Sequence, residues 1–231
     1  RPGEAYPYAP AVAAHLAELV EARGAKPSTG FVGTAYLLPV LTRFGHHELA
    51  YRTLNTREYP SLGYMIENGA TTIWERWDSD KLGPDMNSRN HFCFGAMAQW
   101  MYEDLVGIKP DPEATGFRRV LLTPGPVGDL TFAEFTYTTP QGDIDIHWEV
   151  ADAVLHYAVT LPPNVPAELW LPTADAKTIV AEGDHADATR SARKPDRETA
   201  LGTCAVFELS AGTHRLRTRA KVSHSELAPA K

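Results

Sequence analysis

The chain has 231 residues, 18 of them proline, and a formal charge of −7, a length that suits two modest domains with a sizeable core. No run of Lys and Arg forms a stripe, which argues against a nucleic-acid partner, and no apolar run approaches the roughly 20 residues that a membrane-spanning helix needs. Two cysteines, Cys93 and Cys204, and nine scattered histidines make neither a disulfide framework nor a metal site; even the adjacent His46 and His47 would point about 100° apart on a helix. No metal and no cofactor is expected. The chain opens at Arg1 without a signal peptide or an initiator methionine, as a fragment or a processed product would.

The first hundred residues read as short-linked helices. Residues 10–23 carry Pro10 in the first turn, Val12, Leu16, Leu19 and Val20 at helical spacing, and Gly24 as a stop. A loop with Gly30 and Gly33 follows. It lacks the basic residue of a phosphate loop and reads as a tight turn. Thr34 is positioned to cap a helix to about Phe44, with Leu37, Leu41 and Phe44 on one face and Pro39 as a bend. His46–Thr56 forms the next helix, and Ser61 caps a short one through Ile66, closed by Asn68-Gly69.

Residues 70–91 hold the chemistry. Ala70-Thr-Thr-Ile-Trp-Glu-Arg-Trp-Asp-Ser79 sets Glu75 between Trp74 and Trp77, a loop with Gly83-Pro84 follows, and His91 stands near the start of a further helix, capped by Asn87 or Ser88, that runs to about Val106. Indole rings stack on the apolar faces of sugars, and a carboxylate beside them is what cleavage of a glycosidic bond requires. The plainer alternative makes the tryptophans core or rim residues, with Glu75 and Arg76 as a local ion pair. Phe94, Ala98, Met101 and Leu105 form the expected inner stripe of the last helix.

From about Lys109 the texture changes. Pro110-Asp-Pro112 reads as a linker. Strands are predicted at 117–122, 130–138, 143–150, 153–161 and 167–171, with a closing pair at 205–209 and 213–217 around Ser210-Ala-Gly212. In Asp143–Val150 strict alternation puts Ile144, Ile146, Trp148 and Val150 inward and leaves Asp143, Asp145, His147 and Glu149 on a solvated face. Trp148 and Trp170 are expected to pack on apolar strand faces. Residues 181–200 read as a polar mobile loop and 219–231 as a disordered tail. The expected organisation is multidomain α and β: helices over 1–108, an antiparallel β-sandwich over 109–218, then the tail.

The motifs Gly69–Ser79 and Met86–Phe92, with Ser28-Thr-Gly-Phe-Val-Gly-Thr34 and Tyr36-Leu-Leu-Pro-Val-Leu41 upstream, strongly resemble the late active-site region of bacterial α-L-rhamnosidases. The resemblance covers about the first hundred residues with specific motifs and continues more weakly beyond. It implies that the helices are the last part of an (α/α)6-barrel catalytic domain, that a C-terminal β-sandwich follows, and that the reaction is inverting hydrolysis of rhamnose-containing glycosides. It assigns Glu75 as general base and His91 as a contact to bound rhamnose, and it suggests Trp77 or Trp74 as an apolar wall for the sugar's methyl group. The general acid would lie in the missing amino-terminal half of the barrel, so the chain alone is expected to be inactive. Other (α/α)6 glycosidases, glucoamylase-like or trehalase-like, and a non-catalytic carbohydrate-binding scaffold are the rival classes. If consecutive helices alternate up and down, loops 27–33 and 71–86 lie at opposite ends. The site is then expected to use the second loop alone.

Overall fold

The computed structural model describes residues 7–83, 88–183, 186, 189 and 193–221. The chain divides into two compact units, residues 1–100 and 101–231.

The helical unit contains α1 (Ala9–Glu21), α2 (Phe31–Arg43), α3 (His47–Asn55), α4 (Leu62–Glu67) and the single turn α5 (Met97–Trp100). Ser61 caps α4 as expected, its Oγ accepting from the Tyr64 N–H at 2.8 Å. α2 begins three residues before the predicted cap. Gly30 is the N-cap in extended geometry, and Thr34, already in the first turn, donates its hydroxyl to the Gly30 carbonyl at 2.8 Å. Pro39 lies within α2. Two apolar stripes run along α1, and the one that packs within the unit is Ala13, Ala17 and Val20. Val12 and Leu19, expected on the buried face, are exposed. The expected last helix is also recast. Residues 94–96 form a 3-10 turn, 97–100 an α turn and 101–106 a π turn. Each winding has its own periodicity, so Met97 and Trp100 are buried while Met101 is exposed. Trp100 donates Nε1–H to Thr42 Oγ1 at 2.7 Å, and the Thr42 hydroxyl is 3.0 Å from His47 Nδ1.

Among its described residues the second unit holds ten strands: β1 (Ile108–Pro110), β2 (Val120–Leu122), β3 (Phe132–Thr139), β4 (Gly142–Ala151), β5 (Val154–Leu161), β6 (Ala167–Pro172), β7 (Val180–Glu182), β8 (Arg193–Thr199), β9 (Gly202–Leu209) and β10 (Gly212–Arg219). They form two sheets, β1-β2-β6-β9-β8 and β3-β4-β5-β10-β7. One apolar cluster takes Val120, Leu122, Leu169, Leu171 and Phe207 from the first sheet and Ile144, Ile146, Trp148, Tyr157 and Leu216 from the second, which makes the unit a sandwich. Burial along β4 alternates as its sequence predicts, with Asp143, Asp145 and Glu149 exposed.

Several local expectations are corrected. Pro110 closes a strand paired with β2 rather than opening a linker. β2 and β6 pair in parallel, so the first sheet is mixed. β9 and β10 are not a hairpin: β9 pairs with β6 and β8, β10 with β5 and β7, and Ser210-Ala211 carries the chain from one sheet to the other. Residues 180–182 and 193–199, within or beside the predicted mobile loop, are strands. Residues 222–231 of the predicted tail lie outside the described residues. Trp148 is fully buried and donates Nε1–H to the Leu105 carbonyl at 3.0 Å. Trp170, by contrast, lies on the face of β6 opposite Leu169 and Leu171. There it donates to Glu168 at 2.6 Å and stacks under the Arg197 guanidinium, 4.3 Å from the ring centre.

Candidate active site

Residues 71–77 form no regular element. They are fixed instead by the chain that returns after the loop. The His91 N–H donates to the Ile73 carbonyl at 2.7 Å, and the Glu75 N–H donates to the Ser88 carbonyl at 3.1 Å. The Thr72 hydroxyl donates to the Arg89 carbonyl. The two stretches therefore run side by side in opposite directions, which is why residues 88–93 do not join the helix predicted to start at Asn87 or Ser88. Asn87 itself lies outside the described residues. The pairing brings Glu75 and His91 to one place although the sequence separates them by a loop.

Below this ladder sits a small core of Met65, Trp74, Cys93 and Phe94, with Ile73 and Trp77 against it. Trp74 is only 6% exposed, so its large ring anchors the segment. Trp77 is half-buried, stacks on Phe94 with ring centres 3.6 Å apart, and donates Nε1–H to the Thr29 carbonyl at 3.3 Å. Glu75 is half-buried between them. Among the described residues its carboxylate has no hydrogen bond or ion pair.

That isolation separates Glu75 from nearby acids. Asp78, and not Glu75, takes the Arg76 guanidinium, at 3.2 and 3.3 Å. Asp80 accepts the Tyr64 hydroxyl at 2.7 Å, and this bond holds the phenol above its ordinary pKa. Glu58 pairs with Lys26, whose ammonium lowers its pKa first by hydrogen bonding and then by charge. Glu67 pairs with Arg57 at 2.9 Å. Asp85 lies outside the described residues.

His91 is also half-buried. Its Nδ1 accepts the Cys93 N–H at 3.2 Å. An imidazole nitrogen that accepts carries no proton, so the proton is on Nε2, which is left as the donor. The Cys93 thiol points to the Glu75 carbonyl at 3.8 Å. Burial pushes this thiol up, and the negative charge of Glu75 pushes it the same way. It is therefore a protonated packing group and not a nucleophile.

The expectation that the glycine loop lies at the far end is overturned. Thr29 receives the Trp77 N–H, and Phe31 meets His91 edge-on with ring centres 5.3 Å apart. Helix alternation holds only for short connections. The connection from Asn68 to Cys93 is long, α4 is a six-residue helix, and such a segment has ample reach to return to the other end. The signal was present in the sequence, because Ser28–Thr34 is one of the stretches that carries the family resemblance. Among the described residues no group of His, Cys, Asp and Glu is arranged to hold a metal ion.

Helices followed by a β-sandwich are the arrangement expected of the last part of a hairpin-barrel glycosidase with its C-terminal domain. Residues 5–105 match the bacterial α-L-rhamnosidase six-hairpin glycosidase domain, and residues 107–186 match the bacterial α-L-rhamnosidase C-terminal domain. The chain thus belongs to the bacterial α-L-rhamnosidase family. An α-L-rhamnosidase of Streptomyces avermitilis is 39% identical over 210 residues, covering 89% of this chain and 19% of that protein. The crystal structure of the Streptomyces avermitilis α-L-rhamnosidase complexed with L-rhamnose superposes with a TM-score of 0.80 at 37% identity, over 90% of this chain and 20% of the other. The α-L-rhamnosidase of Dictyoglumus thermophilum gives 0.75 at 28% identity, over 90% and 23%. The chain spans about a fifth of the length of the curated relatives it matches.

Proposed function

We propose that the chain is the carboxyl-terminal part of an inverting α-L-rhamnosidase and that Glu75 is its general base. One observation carries this reading: Glu75 is half-buried, held by backbone pairing beside His91, and free of any partner among the described residues. A carboxylate with no cation against it keeps its lone pairs available for a proton.

An inverting glycosidase needs two carboxyl groups roughly 6.5–9.5 Å apart, one to protonate the leaving oxygen and one to activate water on the opposite face of the ring. Glu75 takes a proton from that water as it attacks the anomeric carbon. His91 donates Nε2–H to a hydroxyl of the terminal sugar. Trp77, the more exposed of the two tryptophans, offers an apolar wall to the methyl group of rhamnose, and Trp74 packs behind it. The acid comes from the earlier part of the barrel, which also completes the pocket. Its substrates are rhamnose-containing glycosides, and the 231-residue chain by itself is inactive.

The test is hydrolysis of 4-nitrophenyl α-L-rhamnoside by the full-length polypeptide, with Glu75→Gln beside it. The variant keeps the shape and removes the base, so kcat falls by about 10²–10⁴ while KM changes little. NMR of the first product shows the inverted anomer. Near-normal turnover by the variant, retention of configuration, or substantial hydrolysis by the chain alone each overturns the corresponding part of the reading.

A further inference from the structure

A closed circuit of bonds runs through the backbone of Glu75, and one side chain completes it. The Glu75 N–H donates to the Ser88 carbonyl at 3.1 Å. The next residue, Arg89, sends its guanidinium back to the stretch before the loop. Its Nη2, which carries two hydrogens, donates to the Ser79 and Leu82 carbonyls, each at 3.3 Å. Ser79 is fully buried and donates its N–H and its hydroxyl to the Arg76 carbonyl, at 3.3 and 2.8 Å. Arg76 is joined to Glu75 by the chain itself, and the ring is closed.

The bonds around Glu75 divide by the side they hold. The Ile73 carbonyl and the Thr72 hydroxyl, bonded to the His91 N–H and the Arg89 carbonyl, fix the chain before it. After Glu75 the chain bends into the short turn Ser79–Lys81, and Arg89 is the side chain that ties this turn to the returning stretch. Arg76, the nearer cation, is taken by Asp78. Arg89 pairs with no carboxylate among the described residues, so its charge is spent on carbonyl oxygens, and a hydrogen bond from a charged donor is the stronger kind. A carboxylate that must take a proton from a water in one position is sensitive to where its backbone is held, because a misplacement of about 1 Å can cost a hundredfold in rate. We infer that Arg89 is a positioning residue for Glu75, acting through the backbone of residues 76–79. It takes no part in the proton transfers. This inference rests on the proposed function and deepens it.

A double-mutant cycle in the full-length polypeptide, read on 4-nitrophenyl α-L-rhamnoside, separates positioning from a structural role. Arg89→Met lowers kcat by roughly ten- to hundredfold, with KM and inhibition by free L-rhamnose changed by less than about twofold, because His91 is held outside the ring. Arg89→Lys, which keeps a cationic nitrogen with several hydrogens, loses less than Arg89→Met. In the Glu75→Gln background, Arg89→Met costs less than about a further twofold, since no base is left to position. Losses that multiply in the double variant would make Arg89 a support of the whole segment and overturn the inference. So would rhamnose inhibition weakened in step with kcat, or unimpaired turnover by Arg89→Met beside a Glu75→Gln variant that has lost it. Near-normal turnover by Glu75→Gln itself would overturn the proposed function, and the role of Arg89 with it.

Discussion

Phe94 joins the fold of the helical unit to its candidate site, and its removal has a calculable effect. The ring is 3% exposed, packs with Met65, Trp74 and Cys93, and stacks on Trp77 with 15° between planes. Phe94→Ala removes a fully buried ring and leaves a cavity that Trp74 and Trp77 cannot both fill, a loss of about 3–5 kcal/mol. Phe94→Leu keeps most of the volume and loses the stacking, for a cost of about 1–2 kcal/mol. With a slope of roughly 2 kcal/mol per molar urea, the alanine variant moves the midpoint of helix unfolding down by about 1.5–2.5 M and the leucine variant by about 0.5–1 M. Circular dichroism at 222 nm on the 231-residue chain follows mainly α1–α5, which lie in residues 9–100. Equal shifts for the two variants, or an alanine shift below about 0.3 M on the same slope, would mean that the stack on Trp77 does not organise this segment.

Two further outcomes concern the second unit. Gly107 has φ of +87°, and a Cβ there would stand 2.4 Å from Thr123 C and Pro124 N, so Gly107→Ala forces both a left-handed alanine and a backbone shift and costs about 2–4 kcal/mol; thermal unfolding unchanged within a degree would refute it. Asp111 accepts the Glu113 N–H at 2.8 Å and pairs with Arg119, and these bonds, the backbone one foremost, hold its carboxyl below its ordinary value. A depressed carboxylate stabilises the fold above its unfolded pKa of about 3.9 and loses that effect as pH falls through the lower folded value. Asp111→Asn therefore lowers the melting temperature at pH 7, and the gap to wild type closes toward pH 3; a gap that stays constant with pH would contradict the cause given.

Much of this protein could be read locally. Gly24 and Ser61 mark helix ends because backbone geometry and a hydroxyl cap act within one turn. The alternation of Asp143–Val150 predicts which face of β4 is buried because side chains alternate along any strand. Glu75 stands out because two tryptophans flank it in the chain itself, and its motif carries the family resemblance. Which tryptophan is buried was not readable, since Trp74 and Trp77 have the same chemistry and differ only in what the chain beyond the loop brings against them.

What tertiary structure alone decided are the meetings of distant segments. The pairing of Ile73 and Glu75 with His91 and Ser88 takes backbone groups that the local pattern offers to a helix. The parallel partnership of β2 with β6 and the crossing of Ser210-Ala211 between sheets leave no mark in strand periodicity, because a strand's alternation states which face is inward and not which neighbour it joins. The arrival of Phe31 and Thr29 beside His91 and Trp77 contradicts simple alternation of helices. A long irregular connection lets the chain choose its end by packing, and that packing energy is spread over residues far apart in sequence.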